Sequence, residues 1–167
     1  MTLDDRRLTS ALREASPDLL GYFHRRVGPD DAPDLLGETM VVAWRRVRDL
    51  PVERERSRMW LFGIARNTLL NYQRGERRRW ALADRIRGQA VHTAAAPASD
   101  DGADVRDAIA RLDPDLGELV RLVHWERMTL AQAAELVDIP ESTARTRYAR
   151  AKEQLRAALR EPAQRTT

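Results

Sequence analysis

Residues 129–160 read TLAQAAELVDIPESTARTRYARAKEQLRAALR, and this run constrains the fold more than any other. Thr129 can cap a short helix whose buried face is Leu130, Ala133, Ala134 and Val137. The small Ala133 and Ala134 let a second helix cross closely. Asp138-Ile139-Pro140 makes a turn with Ile139 as its apolar plug, and a long helix follows. That is the helix-turn-helix pattern, whose second helix enters the major groove of duplex DNA. At about 100° per residue, Ala144, Tyr148, Ala151, Leu155 and Leu159 fall in one core-facing stripe. Thr143, Thr146, Arg147 and Arg150 fall opposite, and Arg145, Lys152, Arg156 and Arg160 lie on a flank. Ser142 stands at the helix start. Hydroxyls and fork-shaped guanidinium donors near a helix start suit base edges and phosphates. The plain alternative is a solvated basic helix with no ligand.

Elsewhere strand signals are nearly absent and helix signals recur, which predicts an all-α chain. Ser16-Pro17 and Asp113-Pro114 each pair an N-cap residue with Pro at a first helical position. Leu19, Leu20, Phe23 and Val27 continue the first at helical spacing, until Gly28-Pro29-Asp30-Asp31 breaks the chain. Leu36, Met40, Ala43, Trp44 and Val47 mark a second amphipathic helix, closed by Leu50-Pro51. A basic helix is expected over 58–79, and further helices near 104–111, 114–126, 129–137 and 141–160. The stretch 91–104 is rich in Ala, Asp and Ser, with nothing bulky to bury after Val91. The expected organisation is therefore two small helical domains, 1–81 and 105–161, joined by a flexible linker, 82–104, with a tail, 162–167. Domains this small have modest cores.

Charge is distributed unevenly. The net is −1 over 1–52, +6 over 53–87, −5 over 88–126 and +3 over 127–167. Two basic blocks around an acidic one suggest two contacts with a polyanion. The absence of Cys excludes disulfides, thiolate zinc sites and a cysteine nucleophile. His24, His92 and His124 match no metal-ligand spacing. Nor is there a paired carboxylate, nucleophile–base pair or Gly-rich phosphate loop to suggest an enzyme, so no cofactor, metal or small-molecule substrate is expected. No apolar run approaches the roughly 18 residues that span a bilayer, and the start MTLDDRRLTS carries no signal-peptide stretch. A cytoplasmic protein is expected.

The basic helix, RMWLFGIARNTLLNYQRGERRR over 58–79, puts Leu61, Ala65, Leu69 and Tyr72 on one side. Trp60, Ile64, Asn67, Asn71 and Arg74 form a separate stripe. An aromatic ring, two amides and an Arg on one face can hold unstacked bases, since the ring stacks and the amides bond base edges. The plainer reading gives Trp60 to the core.

Three segments in this order resemble the bacterial RNA polymerase sigma factors of the extracytoplasmic-function (ECF) group. DAPDLLGETMVVAWRRV, 31–47, is similar to the family's core-binding helix. MWLFGIARNTLLNYQRGERRR, 59–79, is similar to its Trp-Leu-x-x-Ile-Ala-x-Asn promoter-melting helix. The segment 108–155 resembles its C-terminal domain, including the Thr-Ala-Arg-Thr-Arg start of the recognition helix. The resemblance implies a subunit that binds core RNA polymerase at the β′ clamp and the β flap, reads promoter −10 and −35 elements, and opens the DNA. By motif position it assigns Asp34, Leu35 and Glu38 to polymerase binding, with Trp44 packing rather than touching a partner. Trp60, Asn67, Asn71 and Arg74 are its candidates for −10 DNA. Ser142, Thr143, Arg145, Thr146, Arg147 and Arg150 are its candidates for the −35 duplex. Many members are held by an anti-sigma protein, and the resemblance admits such a partner here.

Two departures stand out. Gly37 occupies a position where the family has Gln, and LPVERERSR, 50–58, replaces the loop that captures a flipped −10 base. The base-capturing residues of that loop therefore have no assignment by motif. A rival reading keeps only the C-terminal half active, as a helix-turn-helix regulator that never joins polymerase.

Overall fold

The computed structural model describes residues 2–87 and 103–160. Its contacts divide the chain into two units, 1–91 and 92–167. All regular structure among the described residues is helical.

Helix α1 spans Leu3–Val27. Thr2 and Asp5 form a reciprocal capping box: Thr2 Oγ1 accepts from the Asp5 N–H at 3.2 Å, and the Asp5 carboxylate accepts from the Thr2 N–H at 2.7 Å. These bonds, the backbone one foremost, hold the Asp5 carboxyl below its ordinary range. The expected helix start at Ser16-Pro17 is not there, because Pro17 lies inside α1 and the Ser16 hydroxyl donates back to the Leu12 carbonyl. Tertiary packing overrides the local signal. Leu8, Leu12, Ala15, Leu19, Tyr22 and Phe23 form one buried face that crosses Pro17 without interruption. Gly28 ends the helix with φ +85°, a left-handed conformation that favours glycine, and its N–H bonds the His24 carbonyl.

Helix α2 spans Ala32–Arg45, followed by a 3₁₀ turn at Val47–Asp49. Its buried residues are Ala32, Leu35, Thr39 and Ala43, rotated from the expected face. Leu36, Met40 and Val47 are half-buried, and Trp44 is exposed. Bulk misled the expectation: small residues sit at the centre of this face, where α2 packs against α1. The Thr39 hydroxyl is satisfied by the Leu35 carbonyl at 2.8 Å.

Helix α3 spans Arg54–Arg87, longer at both ends than the expected 58–79. Residues 80–87 read WALADRIR, with no Gly or Pro to stop a helix. The first part of the expected linker is therefore helical, while 88–102 and the expected tail lie outside the described residues. Leu61, Phe62, Ile64, Ala65 and Leu69 of α3 are buried. At the centre Tyr22 meets Phe23 and Phe62 edge-on, with ring centroids 5.4 and 5.7 Å apart.

The Tyr72 hydroxyl donates to the Asp31 carboxylate at 2.6 Å and ties α3 to the start of α2. That bond, then burial and the charge of Asp31, push the Tyr72 pKa from 10.0 up to about 12. The folded state thus holds this proton more tightly than the unfolded chain. Its stabilisation is fully present below pH 10 and is lost as pH rises from 10 to about 12. Tyr72→Phe should cost about 1.5–2 kcal/mol near neutral pH, the lower end for a bond to a charged acceptor, since the pair is only part-buried. Denaturant titrations of both chains should show the gap closing across that alkaline window; a gap that stays constant would remove Asp31 as the cause.

The second unit contains α4 (Ala103–Ala110), α5 (Pro114–His124), α6 (Leu130–Val137) and α7 (Glu141–Arg160). Asp113-Pro114 opens α5 as expected, although the Asp113 side chain makes no cap bond. Thr129 and Gln132 form a second capping box at α6. The turn into α7 is a Schellman motif: the Asp138 N–H bonds the Glu135 carbonyl and the Ile139 N–H bonds the Ala134 carbonyl. Asp138 occupies its left-handed position, φ 59°. Ile109, Leu112, Leu116, Val120 and Ala151 form a core cluster flanked by Trp125, Tyr148 and Leu155. Leu159, expected on the same stripe, is exposed. Gly117 lets α5 approach α4, since a Cβ there would stand 3.3 Å from the Ile109 carbonyl oxygen.

Candidate nucleic-acid interface

The outer face of α7 carries the candidate duplex-reading residues. Ser142, Thr143, Thr146 and Arg147 line one shallow depression at its start. The Thr146 hydroxyl donates to the Ser142 carbonyl at 3.1 Å. Each expected arginine has a different setting. Arg145 pairs with Glu141, one turn back on the same helix. Arg147 Nη1 bonds Asp115 Oδ2 of α5 at 3.0 Å. Arg150 is exposed. Behind them, the Tyr148 hydroxyl and His124 Nε2 lie 2.8 Å apart, fixing α7 to the end of α5.

On α3 the expected stripe divides. Ile64 is buried and belongs to the core. Trp60 is half-buried, with the Arg46 guanidinium 5.9 Å from its ring centre. Asn67, Asn71 and Arg74 are exposed, and Arg74 Nη2 donates to Asn71 Oδ1 at 2.7 Å. Two amides and a guanidinium therefore share one solvent-facing strip.

On α2, Asp34 and Glu38 are exposed, as a contact with another protein requires. Leu35 is only 2% exposed and packs inside the unit, so it supports this surface without presenting itself. Val41 was not anticipated. It and Trp44 are 49% and 42% exposed, adjoining the two acids on the outer face. Adjoining exposed apolar groups are compatible with a contact surface. The only hint in the sequence is that Trp44 lies one step off the stripe centred on Ala32, Thr39 and Ala43.

The segment 50–58 is anchored to α1. The Pro51 carbonyl accepts from Arg7 Nη2 and the Ser57 hydroxyl, each at 2.8 Å. Arg54 pairs with Glu14 at 2.7 Å, and Arg58 with Asp18 at 3.6 Å. A cleft between this segment and α1 is lined by Arg7, Glu14, Asp18, Val52, Arg54 and Arg58, among others. Among the described residues no cluster of His, Asp or Glu could hold a metal ion, and no helix is long and apolar enough to cross a membrane.

Residues 12–79 match the family profile described as Sigma-70 region 2, and residues 103–155 match Sigma-70, region 4. A curated relative, the ECF RNA polymerase sigma-E factor of Haemophilus influenzae, is 28% identical over 148 residues, covering 81% of this chain and 78% of that protein. The fold is similar to the sigma factor RpoE solved in complex with the anti-sigma factor NepR from Bartonella quintana. The TM-score is 0.74, with 24% identity, over 93% of this chain and 98% of that one. It is also similar to CnrH in complex with the cytosolic domain of CnrY, with TM-score 0.65 and 22% identity, over 94% and 90%.

Proposed function

Because the chain belongs to the sigma-70 family, in its extracytoplasmic-function group, we propose how its surfaces divide the work of a sigma factor. It binds core RNA polymerase and directs promoter-specific transcription initiation. The observation that carries this reading is that regions 2 and 4 both match, one on each helical unit. A regulator acting without polymerase would need only the second. Asp34, Glu38, Val41 and Trp44 form the polymerase-binding face, acidic with an apolar centre. Asn67, Asn71 and Arg74 meet the −10 strand once it is unpaired. Ser142, Thr143, Thr146, Arg147 and Arg150 read the −35 duplex, with Arg145 on its border. A polymerase partner fits a cytoplasmic protein, and the role assigned here is one of binding and recognition. The two solved neighbours named above are complexes, the first with an anti-sigma factor, and a protein of that class is the partner we propose here.

Reconstitution with core polymerase on genomic fragments tests the reading. The chain should be retained on core polymerase and give transcripts from discrete start sites. Glu38→Lys reverses an exposed charge on the proposed face and should weaken retention about tenfold. The isolated −35 duplex should still bind as before. A chain that binds duplex DNA but is never retained on polymerase would instead be a stand-alone regulator.

A further inference from the structure

Of the arginines on the reading half of α7, Arg147 is held from another element. Its partner, Asp115, is 32 residues away in sequence and stands in the first turn of α5. Arg145 is held only to its own helix. We propose that Asp115 is a positioning residue that aims Arg147 at a −35 base edge, and so sets the preference at one base pair. This rests on the reading of α7 as the recognition helix.

An arginine side chain has many rotamers, and a free one spreads its donors over phosphates and bases alike. Anchoring Nη1 at 3.0 Å narrows that freedom. The guanidinium carries five N–H donors, so others remain for a base edge. Its surroundings agree: Arg147 is 38% exposed and lines the same depression as Ser142, Thr143 and Thr146. Asp115 is 72% exposed, and the first turn of a helix favours a negative charge there. A carboxylate in this place repels phosphates, so it lowers affinity for every duplex. What it supplies in return is direction, which appears only as discrimination between sequences.

The test uses the full chain and duplexes selected by it from a randomised pool, each then varied one base pair at a time over a salt series. Asp115→Ala should lose about tenfold of the preference at one base pair. It should also bind unselected duplexes a few-fold more tightly, because one repelling charge is gone. Asp115→Asn keeps an acceptor without the charge, and should retain part of the preference while gaining the same non-specific affinity. In an Arg147→Ala background, Asp115→Ala should remove no further preference. If Arg147→Ala relaxes the preference but Asp115→Ala only tightens binding everywhere, the recognition helix stands and Asp115 is merely a repelling charge. If Arg147→Ala binds every duplex as the parent does, the assigned face of α7 is wrong and the proposal falls with it.

Discussion

Phe62→Ala should destabilise the first helical unit by about 3–5 kcal/mol, the usual range for removing a fully buried aromatic ring. Phe62 has no exposed surface, meets Tyr22 edge-on at 5.7 Å, and lies under the Arg58 guanidinium at 4.8 Å. Its loss removes both ring contacts and leaves a void where α1 and α3 meet. A unit of this size has roughly 0.05–0.15 kcal/mol of stability per residue, so the loss is a large share of the total. Thermal unfolding followed by circular dichroism should show Tm falling by about 12 °C or more. Retention on core polymerase should disappear with it. Binding of the −35 duplex should survive, because every contact of Phe62 named here lies in the first unit. Phe62→Leu keeps most of the volume and should cost less than half as much. A Tm within a few degrees of the parent would mean that the ring sits in a site able to collapse around the void.

The second large effect is expected at Ala151→Leu. Ala151 is completely buried among Ile109, Leu112, Leu116 and Val120. There the smallest side chain lets α7 lie close against α4 and α5. Three added carbons must push α7 outward or force its neighbours from their rotamers, at about 1–3 kcal/mol. In a domain of some 60 residues that is a large share of the total. Outward displacement also moves Arg147 away from Asp115, so −35 preference should weaken even in the fraction that remains folded. Binding titrations on matched and mismatched duplexes, beside a melting curve, separate the two losses. Polymerase retention through α2 should be unaffected. An unchanged melting curve together with unchanged preference would show that the cluster has room for the side chain.

The helix-turn-helix was legible because its signals are local and agree. Thr129 and Gln132 cap α6, and the turn follows at Asp138 before α7 opens at Glu141. The errors have a common origin in which long-range packing decided. Ser16-Pro17 carries a good local start signal, yet the apolar face on both sides of it keeps α1 continuous. On α2, bulk suggested that Trp44 faced inward, whereas the buried positions belong to Ala32, Leu35, Thr39 and Ala43, where helices pack close. On α3, a stripe drawn through Trp60 and Asn67 also catches Ile64, because angular position alone cannot find the edge of a core. Asn67, Asn71 and Arg74 needed only exposure, which periodicity supplied. The Arg147–Asp115 bond joins residues from separate helices, and no pattern of period 3.6 contains that information.

The continuity of α1 across Pro17 has a consequence for how this gene segment can change. Two helices with a joint at Ser16 would absorb an added or missing residue in the joint. One helix cannot. A single codon inserted between Leu12 and Pro17 would turn everything after it by about 100°. Leu19, Tyr22 and Phe23 would leave the core together, although each would still be present and each would still be helical. Nor could the far end simply slip, because the chain reverses immediately at Gly28. Point substitutions on the outer side of this stretch are individually cheap, while length is fixed to the residue. Among descendants of this sequence, the region from Leu3 to Val27 should therefore drift in composition and keep its spacing.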